Sequence, residues 1–262
     1  MNLQEQNWIN LFGYHTSEAT AWYGIWTTYS TELKVIKSYQ GIRKFSAHED
    51  KTVISHQNNY TYSDGTTEEK QWQIEKEIAS QPDGMIHPAL ESMRALSFGQ
   101  GANAWMSQEF KPGNRFGCEL FFQYQNWRTS VVPIYGETGD LARITQIREH
   151  LNSYPDRPPA AELQNISGNW VGEKQFMKPD LNISQESELT ELQLNLNHGK
   201  NKTFFLPDRI IMNIPEKVKE GEEFELVVGK MVIDNKYKRM TVKYARDGKI
   251  LQLISEVFDR KN

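Results

Sequence analysis

Apolar and polar residues alternate along most of the first half of the chain, and this period of two indicates β-strands. Residues 24–30 and 33–45 are rich in Thr, Tyr, Val and Ile, residue types that favour strands. Further strand-like runs cover residues 67–78, 115–124, 127–135 and 141–148. The pattern therefore predicts an all-β first half.

Strand patterning continues in the second half. Residues 188–197 alternate between polar and leucine positions, with Leu192, Leu194 and Leu196 on the apolar face. Residues 224–232 form a run typical of a buried strand. The second half is therefore predicted to be all-β as well.

Two Asp-Gly dipeptides mark predicted hairpins. Asp64-Gly65 follows one strand-like run and precedes another, and Asp247-Gly248 lies between residues 240–244 and 250–257. Glycine readily adopts the positive φ that tight hairpin turns require, so both dipeptides favour a turn between antiparallel strands.

Helical patterning is confined to short segments. Residues 2–11 form one predicted amphipathic helix, with Leu3, Trp8 and Leu11 facing inward. Residues 87–96 form the other predicted helix.

A proline cluster divides the chain. Residues 153–161 contain three prolines within nine residues. Proline has no backbone N–H to donate to a β-ladder, so this stretch is predicted to be a semi-rigid linker. We predict an N-terminal domain over residues 1–152, a linker over 153–161 and a C-terminal domain over 162–262.

A Gly-x-Trp triplet begins the strand region on each side of this linker. Gly24 and Trp26 recur 144 residues later as Gly168 and Trp170. This triplet is the signature of the first strand in lipocalin-like barrels, where glycine permits a tight bend and tryptophan closes one end. Closure also removes the exposed edges of meandering antiparallel strands. The predicted fold is therefore two lipocalin-like (calycin) antiparallel β-barrels in tandem, with few short helices.

Basic side chains near the last strand of each predicted barrel are candidates to cover these tryptophans. A cation over an indole face is attracted by the ring quadrupole. Arg148 ends the first repeat and Arg260 ends the second. We predict that Arg148 and Arg260 complete the closed ends formed by Trp26 and Trp170.

Composition limits the function classes. The 262 residues include 30 basic and 34 acidic side chains, a net charge of −4, which argues against a general nucleic-acid-binding protein. No apolar run approaches the roughly 18 residues of a membrane span, and the first residues do not resemble a signal peptide. Cys118 is the only cysteine, so no intramolecular disulfide can form. We therefore expect a cytoplasmic protein in a reducing compartment.

Motifs for catalysis, metal binding and cofactor binding are not apparent. The six histidines do not lie at metal-ligand spacing. The glycines of residues 99–104 loosely match a dinucleotide fingerprint, but the flanking segments predict antiparallel strands rather than a β-α-β unit. Cys118 lies within a predicted strand and is expected to act as a small apolar filler. We predict no catalytic residue, no metal and no cofactor.

One segment is strongly basic. Residues 236–249 contain six Lys or Arg against Asp247 alone, a local charge of +5. One interpretation is a solvated hairpin beside the acidic loop of residues 216–225. The other is a surface that docks an acidic protein partner. The tentative partner-binding residues are Lys236, Lys238, Arg239 and Lys243.

The first half contains a set of short motifs. Beyond the Gly24 to Trp26 triplet, they are Asn7-Trp8, Met85–Pro88, Met93–Gly99, Gly101–Trp105, Arg128–Tyr135 and Ile147–Glu149. These motifs resemble the cyanobacterial and plastid family of uncharacterised double-calycin proteins, whose chloroplast members include the biogenesis factor required for ATP synthase.

The second half resembles the C-terminal domain of that biogenesis factor. The motifs are Leu206-Pro207, Asn213–Pro215, Phe224–Gly229, Arg239-Met240, Tyr244, Gly248 and Asp259-Arg260. The resemblance implies a non-enzymatic assembly or scaffold factor, with ATP-synthase subunits as candidate partners.

The second half is also similar to S-type phycobiliprotein lyases, single calycin barrels that carry a bilin. This similarity implies an alternative function as a carrier of a bilin or another small hydrophobic ligand. Two positions depart from the lyase pattern: Lys230 stands where a Trp usually follows the glycine, and Val242 stands where an arginine is usual. These departures remove a ring-stacking wall and a propionate clamp, and so argue against bilin binding.

Overall fold

The structure is a computed structural model that describes residues 1–16, 19–163, 166, 168–192 and 201–261. Its helices are α1 (Leu3–Phe12) and α2 (Lys76–Ala79), with a 3₁₀ turn at Gly13–Thr16. The strands of the first half are β1 (Thr20–Tyr29), β2 (Val35–Ala47), β3 (Val53–Thr61), β4 (Thr67–Glu75), β5 (Ser80–Gln81), β6 (Gly84–His87), β7 (Leu90–Ser97), β8 (Asn103–Ser107), β9 (Phe116–Tyr124), β10 (Trp127–Tyr135) and β11 (Leu141–Leu151). The strands of the second half are β12 (Trp170–Met177), β13 (Ile183–Glu191), β14 (Asn201–Leu206), β15 (Ile210–Pro215), β16 (Phe224–Ile233), β17 (Lys236–Tyr244) and β18 (Ile250–Arg260).

The strands form two antiparallel sheets, which confirms the all-β prediction. The first sheet has the order β4-β3-β2-β1-β11-β10-β9-β8-β7-β6-β5, and the second has the order β13-β12-β18-β17-β16-β15-β14. Within the described residues no ladder joins β4 to β5, or β13 to β14. Both sheets are therefore open, and the predicted closed calycin barrels are not confirmed.

Both Asp-Gly dipeptides form the predicted hairpin turns. Gly65 connects β3 to β4 with a φ of 84°, and Gly248 connects β17 to β18 with a φ of 81°. In each turn the aspartate accepts a hydrogen bond from the backbone N–H two residues later, at 2.9 Å from Thr66 and 3.1 Å from Lys249. The side chain thus holds the turn, as expected for Asp in this position.

Helix α1 confirms the first predicted helix and the inward position of Trp8, whereas the inward position predicted for Leu3 is wrong because Leu3 is exposed. Asn2 caps it by accepting a 2.7 Å hydrogen bond from the Glu5 N–H, and Trp8 and Phe12 are buried on its inner face. The predicted helix over residues 87–96 is wrong, because this segment spans the end of β6, a turn and most of β7. Ala95 packs with the α1 side, and Leu96 packs into the core on the opposite side. A strand buried on both faces has consecutive apolar residues, a pattern that resembles a helix.

The largest apolar core lies between the two sheets. It includes Leu96 and Phe122 from the first sheet and Met212 and Val228 from the second. The Tyr135 hydroxyl also donates a 2.8 Å hydrogen bond to the carbonyl of Pro215, across the same interface. The predicted linker, residues 153–161, falls between the two sheets in the chain, and the division into domains at these residues stays a prediction.

Leu192, from the predicted strand over residues 188–197, packs against the apolar cluster of Trp170, Met231, Tyr237 and Phe258. Leu194 and Leu196 lie outside the described residues.

Candidate ligand-binding site

The inner face of the first sheet surrounds a cavity of about 700 Å³. Side chains from α1, from β2 to β4 and from β6 to β10 line it. The exposed members of the lining, Lys70 and Gln71 on β4 and Ala89 and Leu90 at the β6–β7 turn, lie at its rim. The cavity therefore opens between β4 and the β6–β7 turn.

One wall of the cavity is a row of four rings. His15 stacks on Phe45 at 4.4 Å between ring centroids, Phe45 on His56 at 4.3 Å, and the tilted Trp72 ring lies 5.0 Å from His56. The row follows from strand register, since Phe45 is directly opposite His56 and His56 is opposite Trp72. Directly opposed residues share one face of a sheet, so their rings meet.

The floor of the cavity is a charged cluster of two arginines and two glutamates. Arg43 donates from Nη2 to Glu119 Oε1 at 2.9 Å, and its Nε lies 3.4 Å from Glu149 Oε1. Arg128 donates from Nε to Glu149 Oε2 at 2.7 Å. The Glu149 side chain is fully buried. The cluster is balanced in charge, as a buried ionic group must be to avoid a large desolvation cost.

Two opposed glycines make room for this floor. Gly24 on β1 is paired with Gly41 on β2 and with Glu149 on β11. A Cβ on Gly24 would lie 2.5 Å from Glu149 Cγ and 2.7 Å from the Arg148 carbonyl oxygen. A Cβ on Gly41 would lie 2.7 Å from Trp26 Cε3. The missing side chains thus admit the Glu149 carboxylate chain and the Trp26 ring.

The cations over Trp22 and Trp26 are not the predicted one. Arg43 lies over Trp26 at 5.3 Å, and Arg128 over Trp22 at 4.4 Å. The prediction that Arg148 covers Trp26 is wrong. Trp26 is directly opposite Ile147, so Arg148 points to the other face of the sheet, where it lies 4.4 Å from the Trp127 ring.

In the second sheet, Arg260 lies over Trp170 at 5.9 Å. Gly168 has a φ of 115°, and a Cβ there would lie 2.7 Å from Arg260 Nε. Glycine at this position therefore lets the arginine reach the indole ring.

The register of the two sheets aligns a different repeat from the one that the sequence suggested. Gly24 pairs with Glu149, two residues before the end of β11, and Gly172 pairs with Phe258, two residues before the end of β18. Trp22 and Trp170 each precede these glycines by two residues. The structural repeat is therefore Trp-x-Gly, offset by 148 residues, and this pattern was available in the sequence.

Burial keeps the histidines of the cavity uncharged near neutral pH. Burial and the nearby Arg128 cation lower the pKa of His15 to about 3. Burial and the Arg43 cation lower the pKa of His56 to about 3. Burial also lowers the pKa of His87.

Neutral polar groups extend from His56 along β3. Its Nε2 lies 2.9 Å from Asn58 Oδ1, and Asn58 Nδ2 donates to the Tyr60 hydroxyl at 2.9 Å. The His56 ring therefore donates at Nε2, which fixes its neutral tautomer.

Three atoms of the floor have no hydrogen-bond partner: Arg43 Nε and Glu149 Oε1, which lie 3.4 Å apart within their ion pair, and Arg128 Nη2. Arg128 Nη2 is buried and unpaired, although Arg128 Nε is bound to Glu149. Arg128 lines the cavity. A buried donor without a partner is costly, so this atom marks a place where a ligand acceptor would be favourable.

The basic hairpin of β17 is internally paired. Lys236 lies 2.5 Å from Asp259, and Lys243 lies 3.5 Å from Glu225. Arg239 forms a bidentate pair with Glu256 at 2.6 and 3.0 Å. Lys238 donates to the backbone carbonyl of Gln123 at 2.8 Å, in the first sheet. These contacts favour the solvated-hairpin interpretation over a docking surface.

Cys118 and the glycines of residues 99–104 have structural roles, in the apolar core and in a turn between strands. Cys118 is fully buried in the shared core, and burial raises the pKa of its thiol. Gly99 and Gly101, with φ of 82° and 76°, form the turn between the antiparallel strands β7 and β8. A thiol in this setting is not a nucleophile, and the turn is not a β-α-β phosphate loop.

The described residues contain no group of three or more His, Cys, Asp or Glu side chains placed to hold a metal ion. Among the helices described, none is long and apolar enough to cross a membrane.

The comparison with protein families decides the classification. Residues 4–154 match the model described as Domain of unknown function (DUF3598), N-terminal. The chain belongs to the DUF3598 family. A DUF3598 protein of unknown function from Nostoc punctiforme PCC 73102 has a crystal structure with a TM-score of 0.75 to this one, at 18% identity, over 97% of this chain and 99% of that one. At this identity the likeness concerns the DUF3598 fold alone.

Other comparisons add no argument about the DUF3598 chain. Intact Ap-TbpB, with N and C lobes, has a TM-score of 0.23 at 7% identity, over 94% of this chain and 49% of that one. CghA with Sch210972 has a TM-score of 0.19 at 7% identity, over 92% of this chain and 88% of that one. No curated protein matches the chain.

Proposed function

We propose that this DUF3598 protein is a non-enzymatic binding protein that holds a small organic molecule in the cavity of its first sheet. The observation that carries the proposal is the ring-lined cavity of about 700 Å³ with an unpaired, buried Arg128 donor at its floor. Ligand pockets are typically concave and largely apolar, with a few convergent polar groups that orient the ligand.

The state of the polar groups supports binding rather than catalysis. A histidine such as His15 or His56, with its pKa lowered to about 3, is a weak base at neutral pH. Glu119 and Glu149 are engaged by Arg43 and Arg128. These groups can orient a ligand but are poorly suited to proton transfer.

The calycin interpretation of the fold belongs to this proposal. The first sheet lines the cavity from β2 to β10 as a barrel wall would, and the rim runs from its edge strand β4 to the β6–β7 turn. An open edge gives the ligand a lateral entrance.

The resemblance to the ATP-synthase biogenesis factor implies a protein partner, and that function stays a prediction. The basic side chains of β17 bind acidic groups of the same chain, so they add no support for a protein partner. The expected cytoplasmic location also stays a prediction. A pull-down that recovers stoichiometric ATP-synthase subunits would support the assembly role.

The binding proposal is tested with Nile red, an uncharged planar dye whose fluorescence rises in apolar surroundings. We expect saturable binding to the native protein. Ala89→Trp, which places a large side chain at the rim, should weaken binding by about tenfold or more, equivalent to roughly 1.4 kcal/mol. Ile78→Trp is the matched control, because Ile78 is exposed and does not line the cavity. Absence of saturable binding, or equal loss in the two variants, would contradict the proposal.

A further inference from the structure

The charge of the cavity floor restricts the ligand, if the proposed function holds. Arg43 and Arg128 are balanced by Glu119 and Glu149, and the three lining histidines are uncharged near neutral pH. The remaining ionisable groups of the lining are Tyr60 and Lys70, and Lys70 lies at the rim, 3.1 Å from Glu68. The buried part of the cavity therefore has no excess positive charge to offer an anion.

A carboxylate on the ligand would meet two carboxylates that already occupy the arginines. It would have to displace Glu119 or Glu149 from an ion pair, or remain as an excess buried negative charge. Both are unfavourable, because a buried charge without its own counterion is strongly penalised. The two propionates of a bilin would meet the same obstacle.

An uncharged acceptor meets no such obstacle. Arg128 Nη2 is a buried donor without a partner, so a carbonyl oxygen placed there forms a charge-assisted hydrogen bond and leaves the charge balance unchanged. The Arg128 guanidinium is held in place for this role by Glu149 at Nε and by the Trp22 ring at 4.4 Å.

The rings of the lining select for a flat molecule. One wall is the row of four rings, from His15, Phe45, His56 and Trp72. Trp105 and Phe121, from β8 and β9, also line the cavity. Aromatic faces pack best against other flat ring systems in offset or edge-to-face arrangements.

We infer that the ligand is an uncharged, flat, conjugated carbonyl compound, such as an aryl ketone or quinone, whose oxygen accepts a hydrogen bond from Arg128 Nη2. The inference rests on the proposed function and adds the chemical class of the ligand.

Three matched naphthalenes test this inference. They are 2-acetylnaphthalene, with an uncharged acceptor, 2-naphthoate, with an anionic one, and 2-ethylnaphthalene, with none. We expect the ketone to bind about 10- to 100-fold more tightly than either of the others, the range for one hydrogen bond to a charged donor. Tryptophan quenching in the wild-type protein is the readout.

Arg128→Lys adds a second measurement. Lysine retains the cation beside Glu149 but lacks the planar fork that supplies Nη2, so the preference for the ketone over the hydrocarbon should disappear while 2-ethylnaphthalene binds as before. Circular dichroism and a thermal melt show whether the variant folds. If it does not fold, the relative affinities of the three naphthalenes for the wild-type protein still test the inference.

The outcomes separate the two proposals. Tighter binding of 2-naphthoate, or equal binding of all three compounds, overturns the inference and leaves the binding function standing. Failure of all three compounds and of Nile red overturns both. A preference for the ketone that persists in a folded Arg128→Lys protein overturns the assignment to Arg128 Nη2.

Discussion

At the residue scale, the cavity floor depends on two positions that have no side chain. Gly24 and Gly41 face each other across β1 and β2, and the space above them is occupied by the Glu149 side chain and the Trp26 ring. Gly24 is not in the left-handed region of φ, so its role is close approach rather than backbone flexibility. The glycine of this Gly-x-Trp triplet is therefore needed for the space beside Glu149 and not for a bend in the backbone.

Gly24→Ala should disturb the floor. The new Cβ would lie 2.5 Å from Glu149 Cγ and would force the carboxylate away from Arg43 and Arg128. We expect a loss of about 1–3 kcal/mol in the free energy of unfolding, the usual range for overpacking a tight site. Gly136→Ala is the control, because its Cβ would be no closer than 3.8 Å to a neighbour. Equal urea-unfolding curves for the two variants would count against this account.

The cavity histidines should make stability depend on pH. In the unfolded chain a histidine binds a proton below about pH 6.5, whereas folded His15 and His56 bind one only near pH 3. Stability is therefore complete above about pH 6.5 and declines as the pH falls, by about 1.4 kcal/mol per pH unit for each histidine.

Urea unfolding between pH 7.5 and 5, above the range of ordinary carboxylates, measures this slope. His56→Phe, which retains a ring in the row, should reduce it, and His48→Phe is an exposed control. An unchanged slope in His56→Phe would mean that His56 is protonated in the folded protein.

At the element scale, local sequence patterns predicted the positions of single strands well but did not predict the register between them. Alternation and Asp-Gly turns located most strands and two hairpins, because both signals depend only on neighbouring residues. Segment 87–96 differs from the predicted helix because the end of β7, at Ala95 and Leu96, is buried on both faces, by α1 and by the second sheet. The register between strands depends on residues that are far apart in the chain. The Gly-x-Trp repeat therefore predicted that Trp26 corresponds to Trp170, whereas the strand pairing shows that Trp22 does.

The residues of the cavity floor also could not be predicted from local sequence patterns. Its four charged residues lie on β2, β9, β10 and β11, and they meet because β1 and β11 pair in the middle of the sheet. In the sequence Arg43 and Glu119 are isolated residues with no motif around them. Arg128 and Glu149 belong to segments of the family resemblance, but nothing in those segments indicates that the two side chains pair.

At the scale of the whole molecule, the two sheets share one core and one buried ion cluster. Asp208, in the β14–β15 turn, binds Lys230 of the second sheet and lies 3.4 Å from Arg148 Nε of the first. Its carboxylate also accepts from the Ala160 N–H at 3.5 Å, in the predicted linker. Against the burial that raises it, the Lys230 and Arg148 cations hold the pKa of Asp208 below its ordinary value.

Asp208→Asn should destabilise the whole molecule in one transition. Removing one member of a buried ion pair costs about 3–5 kcal/mol, because the remaining charges stay buried without compensation. Asp140→Asn is the matched control, since Asp140 also joins the two sheets, at 3.1 Å from Lys217, but through exposed side chains. Its expected cost is below about 1 kcal/mol. Differential scanning calorimetry distinguishes the two, and separate transitions for the two halves would contradict a shared core.

The position of the cavity rim determines which groups must move when the proposed ligand enters or leaves. The opening lies between β4, an edge strand of the first sheet, and the β6–β7 turn, rather than within a hydrogen-bonded ladder. Widening it requires movement of Lys70, Gln71, Ala89 and Leu90, all exposed, and no rupture of the described strand pairs. Opening of the rim therefore needs only side-chain and turn motions, which typically take nanoseconds to microseconds and are faster than local unfolding. Residence time in such a pocket is set by the contacts at the floor.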